Sequence, residues 1–169
     1  MPDVVLRLVD DADYDRLFSL LSHPTSCPPP KLASGLPRRD DFDAALTRYR
    51  SDKSVVLRAI VVDDYVAGCI IATDTGQVPQ IEFVVHPDRR NLGIATGAVL
   101  AFTAMMKRRP LHARVSPTNG GAIRVLEKAG FASAGPVQTG DSTVSPEGGD
   151  LSYELGFFPA ATFMGTPIS

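Results

Sequence analysis

Apolar positions recur along the chain with two spacings, which together predict seven strands and four helices. Short runs rich in β-branched residues indicate strands. Apolar residues that recur every three or four positions indicate helices, as Leu17, Leu20 and Leu21 do after the candidate caps Asp10 and Asp11. The predicted strands cover residues 4–9, 55–62, 66–73, 80–86, 111–115, a segment from 131, and 151–157. The first predicted helix ends at about residue 22, and the others cover 39–50, about 92–107, and 119–129.

The connections between these elements predict a mixed sheet. The turns at residues 63–64 and 74–76 are so short that the strands they join must be antiparallel neighbours. Residues 80–115 then contain a strand, a helix and a strand, and such a crossover makes its two strands parallel. We therefore expect one α/β domain over residues 1–169, with the order β-α-α-β-β-β-α-β-α-β-β.

Composition and charge exclude several classes of protein. Hydrophobic residues make up 44% of the chain and charged residues 21%, which is enough apolar material for a core. The formal net charge is −2, so no overall positive field attracts nucleic acid. The cysteines and histidines lack the spacing of a metal site, and no apolar run reaches the roughly 20 residues that span a bilayer. With no signal-peptide pattern, the expected location is the cytoplasm.

The segment after the fourth predicted strand carries the clearest chemical signal. A helix begins near Leu92, and the first N–H groups of a helix favour an anion because they have no intrahelical acceptor. Gly93 and Ala95 leave the backbone accessible, while Arg89 and Arg90 add charge that can grip phosphate. The Rossmann and Walker glycine patterns are absent. The segment predicts a diphosphate cradle, the alternative being an ordinary strand–turn–helix junction with a surface arginine.

Two segments resemble the GNAT superfamily of N-acetyltransferases. Arg90, Gly93 and Ala95 have the spacing of the family's RxxGxG/A signature, which holds the pyrophosphate of acetyl-CoA. Residues 119–131 resemble the family's later helix, which begins with Asn and ends in Gly-Phe. Within that helix, residues 125–128 replace a Tyr-containing version. This makes the chain most similar to the branch that includes ribosomal-protein N-terminal acetyltransferases.

The resemblance implies a fold, a reaction and a co-substrate. The fold is a GNAT-like central mixed sheet with antiparallel N-terminal strands, a splayed parallel pair, and helices on both faces. The reaction is acetyl transfer from acetyl-CoA to a primary amine by direct attack in a ternary complex, without a metal. The alternatives are a catalytically weak acyl-CoA-binding or sensing module of the same fold, and a binder of another nucleotide at the same helix terminus.

The resemblance also implies partners. The acceptor is expected to be a small-molecule amine or a protein N-terminus. Its specificity would depend on the first two helices and the proline-rich loop 23–37. Neither a nucleic acid nor a membrane is expected as a partner. The apolar segment 157–168 is a hypothetical homodimer contact.

The implied cofactor site involves the same two segments. Main-chain groups of Val84 and Val85 would meet pantetheine if the parallel strands diverge. Asn119 would bind pantetheine or, as the commoner role of such a residue, cap its own helix. The residues expected around the diphosphate are Arg89, Arg90, Asn91, Leu92, Gly93, Ile94, Ala95 and Thr96.

Glu82 is the candidate catalytic residue. It lies in an apolar strand, where burial would raise the pKa of its carboxyl and suit it to remove a proton from an amine. The alternative is an outward-facing polar residue of a half-buried strand. Many family members carry a tyrosine acid at the position of Leu126, and leucine cannot protonate a thiolate. Weak alternatives for an acid are Ser116, Thr118 and Tyr153, while His86 is expected to be a loop histidine.

Overall fold

A computed structural model of the chain describes residues 2–24, 32–33, 36–74, 76, 78–136 and 151–156. Its strands are β1 (Val4–Arg7), β2 (Val55–Val62), β3 (Tyr65–Thr73), β4 (Gln80–Val85), β5 (Leu111–Val115), β6 (Ala132–Pro136) and β7 (Leu151–Leu155). Its α-helices are α1 (Tyr14–Leu21), α2 (Arg39–Ser51), α3 (Ile94–Met105) and α4 (Gly120–Lys128). No helix in this part of the chain is both long and apolar enough to cross a membrane.

The strands form one mixed sheet in the order β1-β2-β3-β4-β5-β7-β6. Every neighbouring pair is antiparallel except β4 and β5, which are parallel. The predicted element order and the mixed α/β class are therefore confirmed. The hypothetical dimer segment 157–168 lies outside the described residues.

Most predicted element bounds differ from the structure by one or two residues, and the backbone gives the reason in several places. Helix α3 begins at Ile94 rather than near 92 because Asn91 and Gly93 both have a positive φ, which no α-helix accepts. Strand β4 ends one residue earlier than expected, since His86 caps a 3₁₀ turn over Pro87–Arg89. The first helix is preceded by a 3₁₀ turn that Asp10 caps.

Helices cover both faces of the sheet, as predicted. Alternate residues of a strand point to opposite faces, so each strand contributes to two cores. The first face, which we call the α3/α4 face, buries residues such as Ile60, Ile70, Ile81, Phe102 and Leu126. The second, the α1/α2 face, buries residues such as Leu17, Phe42, Cys69, Ile71 and Val84. Leu32 of the proline-rich loop also packs into the second core, where it is 2% exposed.

The parallel strands β4 and β5 separate soon after they meet. Their paired residues are Gln80 with His112 and Ile81 with Ala113, and no further pair follows. Strand β4 nevertheless stays paired with β3 as far as Val85. The result is an opening between the carboxyl halves of β4 and β5, which agrees with the predicted splayed pair.

Gly68 of β3 fixes β4 on the other side of this opening. A Cβ atom built on Gly68 would lie 2.0 Å from the carbonyl oxygen of Val84, so no other residue fits without moving the β4 backbone. Strand β3 also contains a bulge here, because Ile60 pairs with Gly68 while Val61 pairs with Val66. Close backbone approach therefore holds β4 against β3 where β5 leaves it.

We expect Gly68→Ala to lower the free energy of unfolding by at least about 2 kcal/mol, because the added methyl group must displace backbone. The control is Gly120→Ala at the first turn of α4, where a Cβ meets no atom within 4 Å. That control should change stability by less than about 1 kcal/mol. Urea denaturation of both variants measures the difference. Equal stability of the two variants would contradict the close approach of β3 and β4.

Candidate functional site at the opening between β4 and β5

The N-terminus of α3 presents its main-chain donors without a cap. The N–H of Gly97 donates to the carbonyl of Gly93 at 3.0 Å, so the amides of Ile94, Ala95 and Thr96 precede the first intrahelical bond. Within the described residues, no side chain caps this terminus. The amides and the helix dipole together favour an anion at this point.

The side chains around these amides leave space on the solvent side. Ile94 is 2% exposed and points into the core, whereas Leu92 is 53% exposed and points away from it. Gly93 has a φ of 80° and Asn91 a φ of 62°, which turns the chain sharply before the helix. Arg90 is exposed at the start of this turn. The predicted cradle residues thus form one loop that leads into uncapped amides.

Arg89 has a neighbour that the sequence did not predict. Its guanidinium carbon lies 4.7 Å from the ring centroid of Tyr65, and that of Arg16 on α1 lies 4.0 Å from the same ring. Burial and the nearby charge of Arg89 both lower the pKa of Arg16. Two guanidinium groups on one aromatic ring gain from its negative face. Arg89 is therefore held by Tyr65 on the β3 side of the loop.

His86 organises the turn between β4 and the cradle. Its Nδ1 accepts from the N–H of Asp88 at 3.1 Å, and its ring meets the ring of His23 edge-on at 5.6 Å. Burial, followed by the charge of Arg16, lowers the pKa of His86 from its ordinary value of 6.5. The imidazole is therefore neutral at pH 7, which lets Nδ1 accept. His86 is a capping residue here, in line with the expected loop histidine.

Main-chain direction divides the residues of β4 between its two neighbours. The N–H of His86 donates to the carbonyl of Ala67 at 2.7 Å, and the carbonyl oxygen of Val84 faces Gly68. The main-chain groups of His86 and Val84 therefore point to β3. Because alternate residues point the other way, the main-chain groups of Phe83 and Val85 point into the opening. Of the two valines predicted to bind pantetheine, Val85 turns its main-chain groups to the opening and Val84 turns them to β3. The sequence did not single out Phe83, because only the register shows which way its main-chain groups point.

Glu82 lies on the α1/α2 face, next to Leu32. Its Oε2 accepts from the N–H of Leu32 at 3.4 Å. Its charge, after the larger effect of burial, helps raise the pKa of the Cys69 thiol to about 12. The side chain is only partly exposed and sits one residue beyond the last β4–β5 pair. Glu82 thus borders the opening from the face opposite α3.

The later predicted residues have structural roles. Asn119 caps α4, with its Oδ1 accepting from the N–H of Ala122 at 3.1 Å. Leu126 is 1% exposed and Tyr153 4% exposed, both within the core of the α3/α4 face. The hydroxyls of Ser116 and Thr118 are 2.8 Å apart on the surface after β5. A contact of Asn119 with a cofactor remains a prediction.

Within the described part of the chain, no group of three His, Cys, Asp or Glu side chains is placed to hold a metal ion.

Solved structures with a similar fold include acetyltransferases and a protein without an assigned activity. A spermidine N-acetyltransferase chimera from Vibrio cholerae is 12% identical, with a TM-score of 0.72 over 89% of this chain and 93% of that chain. An aminoglycoside acetyltransferase in complex with coenzyme A and kanamycin is 20% identical, with a TM-score of 0.71 over 92% and 95%. An uncharacterized protein from Bacillus halodurans is 17% identical, with a TM-score of 0.72 over 90% and 83%. At these identities, the likeness shows the fold alone.

The family follows from the sequence match. No curated protein matches the chain. The family model described as an acetyltransferase (GNAT) domain matches residues 3–132, which is most of the chain and includes both segments on which the resemblance was based. The predicted superfamily and the predicted enzyme class, an acyltransferase, are thereby confirmed, and this protein belongs to the GNAT acetyltransferase family.

Proposed function

We propose that this protein transfers the acetyl group of acetyl-CoA to a primary amine. The observation that carries the proposal is the uncapped N-terminus of α3, which lies just after the strand that borders the opening between β4 and β5. Such a terminus suits a diphosphate, and the opening suits the extended arm that joins the diphosphate to the thioester. The structural neighbours in complex with coenzyme A support the same co-substrate.

Each part of the chain has a proposed role in holding the co-substrate. The amides of Ile94, Ala95 and Thr96 donate to the diphosphate, and Arg90 adds charge beside them. The main-chain groups of Phe83 and Val85 bind the arm, and the Val85 N–H is the candidate donor to the thioester oxygen. Acetyl-CoA supplies the activated acyl group when it is bound.

Glu82 is the proposed base. It faces the opening from the α1/α2 face, so an amine that enters from that face would meet it before the thioester. Its carboxylate accepts a proton from the ammonium form, which frees the lone pair for direct attack. Leu126 supplies no acid, and we propose that water protonates the departing thiolate.

The proposal specifies the acceptor of the acetyl group only by its chemical class. The neighbours with named acceptors act on amines, spermidine in one case and aminoglycosides in the other. A small-molecule amine or a protein N-terminus is the acceptor proposed here. Residues 125–128 favour the branch that includes ribosomal-protein N-terminal acetyltransferases, which would make a protein N-terminus the acceptor.

A second candidate function is an acyl-CoA-binding or sensing module with little turnover. The observation in its favour is the burial of leucine at position 126, where many family members have a tyrosine. Product formation separates the two functions: a module would bind acetyl-CoA but acetylate nothing in a panel of amines and N-terminal peptides.

The cradle is tested by isothermal titration of acetyl-CoA against the wild type and Arg90→Glu. Charge reversal beside the diphosphate should weaken binding by about tenfold or more. Arg48→Glu, an exposed arginine of α2, is the matched control and should bind as the wild type does. Absence of heat from the folded wild type would contradict the proposed function, and equal affinity of the two variants would contradict the position of the cradle.

The base is tested by Glu82→Gln, which keeps the shape and an acceptor for the Leu32 N–H but removes the charge. We expect kcat to fall by about 10²-fold or more, with the affinity for acetyl-CoA unchanged. Steady-state kinetics on an accepted amine, together with calorimetry, measure both quantities. An unchanged kcat would show that Glu82 is not the base.

We expect the turn that leads to the cradle to make the affinity for the cofactor depend on pH. Because the pKa of His86 is lowered from 6.5, Nδ1 caps Asp88 fully at pH 7 and loses this role as pH falls below 6.5 through the lowered pKa. His86→Asn offers an acceptor that does not titrate in this range. As pH falls from 7.5 through that pKa, the wild type should lose affinity for CoA relative to the variant, by about fivefold once His86 is protonated. Parallel pH profiles of the two proteins would contradict this role of His86.

A further inference from the structure

The α1/α2 face of the sheet carries polar side chains where it extends past the opening. Helices α1 and α2 pack against β3 and β2 respectively. On β5, Leu111, Ala113 and Val115 are buried on the α3/α4 face, so the residues between them, His112 and Arg114, face the other way. The register places Glu154 opposite His112 and Ser152 opposite Arg114 on β7, which puts these on the same polar row.

The row contains a carboxylate that pairs with a histidine. The Nε2 of His112 lies 2.9 Å from Oε2 of Glu154, a cross-strand pair between neighbouring strands. Both side chains keep some exposure, 28% for His112 and 44% for Glu154. Glu154 lies on β7, which β5 separates from the opening, so Glu82 is the carboxylate on the described part of this face that borders the opening itself.

Arg114 stands across the opening from Glu82. The last paired residues are Ile81 and Ala113, so Glu82 and Arg114 occupy the next position on each strand and the same face. Arg114 is exposed and, among the described residues, makes no hydrogen bond or ion pair. Adjacent strands are about 4.8 Å apart where they pair and farther apart beyond. A carboxylate and a guanidinium therefore flank the opening from opposite sides.

We propose that Arg114 selects acceptors that carry a carboxylate close to the amine, as an α-amino acid does. This inference rests on the proposed acetyl transfer and limits its acceptor to small-molecule amines, because the first residue of a protein has its carboxyl group in a peptide bond. The amine would lie at Glu82, and the planar guanidinium would take the carboxylate through two parallel hydrogen bonds. A polyamine would instead need a second carboxylate at the opening, and the chain has an arginine there.

The experiment compares acceptors that differ by the carboxylate: L-phenylalanine with phenethylamine, and L-leucine with isoamylamine, with spermidine as a polyamine. Each is assayed with acetyl-CoA against the wild type, Arg114→Ala and Arg114→Lys. Arg124→Ala, an exposed arginine of α4, is the matched control, and thermal unfolding confirms that each variant is folded.

We expect the wild type to prefer the amino acids. Arg114→Ala should lower kcat/KM for them by about tenfold or more, mainly through KM, and leave the decarboxylated amines within about twofold. Arg114→Lys should recover part of the loss, and Arg124→Ala should behave as the wild type. A wild-type preference for the decarboxylated amines or spermidine, or an equal effect of Arg114→Ala on both members of a pair, would overturn the inference.

Failure here is distinguishable from failure of the proposed function. If acetyl-CoA binds in calorimetry but neither amino acid is acetylated, the inference about Arg114 is wrong and the cofactor site stands. If acetyl-CoA does not bind, the proposed function is wrong and the inference is wrong with it.

Discussion

The early parting of β4 from β5 is the constraint on which the rest of the site depends. Two residues on each strand pair, and then β4 continues against β3 alone. Main-chain groups that a neighbouring strand would otherwise bond are therefore left facing the opening, and buried groups of this kind need a partner. Gly68 makes the arrangement possible, because its lack of a side chain lets β3 approach the carbonyl of Val84.

The start of α3 places an uncapped helix terminus and positive side chains close to this opening. Strand β4 ends, His86 caps a single turn, and two left-handed residues then direct the chain into an uncapped helix. Arg16 and Arg89 lie close together on the ring of Tyr65, which offsets part of their repulsion. The charges near the cradle are thus fixed by contacts with α1 and β3.

Periodicity and turn length were enough to predict the order of the elements, because each apolar run matches one spacing and the short turns allow antiparallel neighbours only. The sequence could not locate the ends of α3, since the left-handed conformations of Asn91 and Gly93 depend on the loop as a whole. It also could not pair residues that are distant in sequence. Arg89 with Tyr65, Glu82 with Leu32, and His112 with Glu154 all depend on how the strands and helices pack.

The same limit applies to the main-chain groups of β4, some of which point to β3 and some to the opening. The sequence pointed to β4 but not to the direction of its main-chain groups, and the register turns those of Phe83 and Val85 to the opening. Asn119 and Leu126 show a related effect. A segment can resemble a family closely while its side chains serve a helix cap and a core in this chain.

The central claim, that the amides at the start of α3 bind the diphosphate of coenzyme A, is tested most directly by a crystal structure of the complex. We expect diphosphate oxygens at about 2.9 Å from the amide nitrogens of Ile94, Ala95 and Thr96, with the pantetheine arm running toward Phe83 and Val85. Coenzyme A bound elsewhere on the protein, with these amides facing only solvent, would contradict the claim.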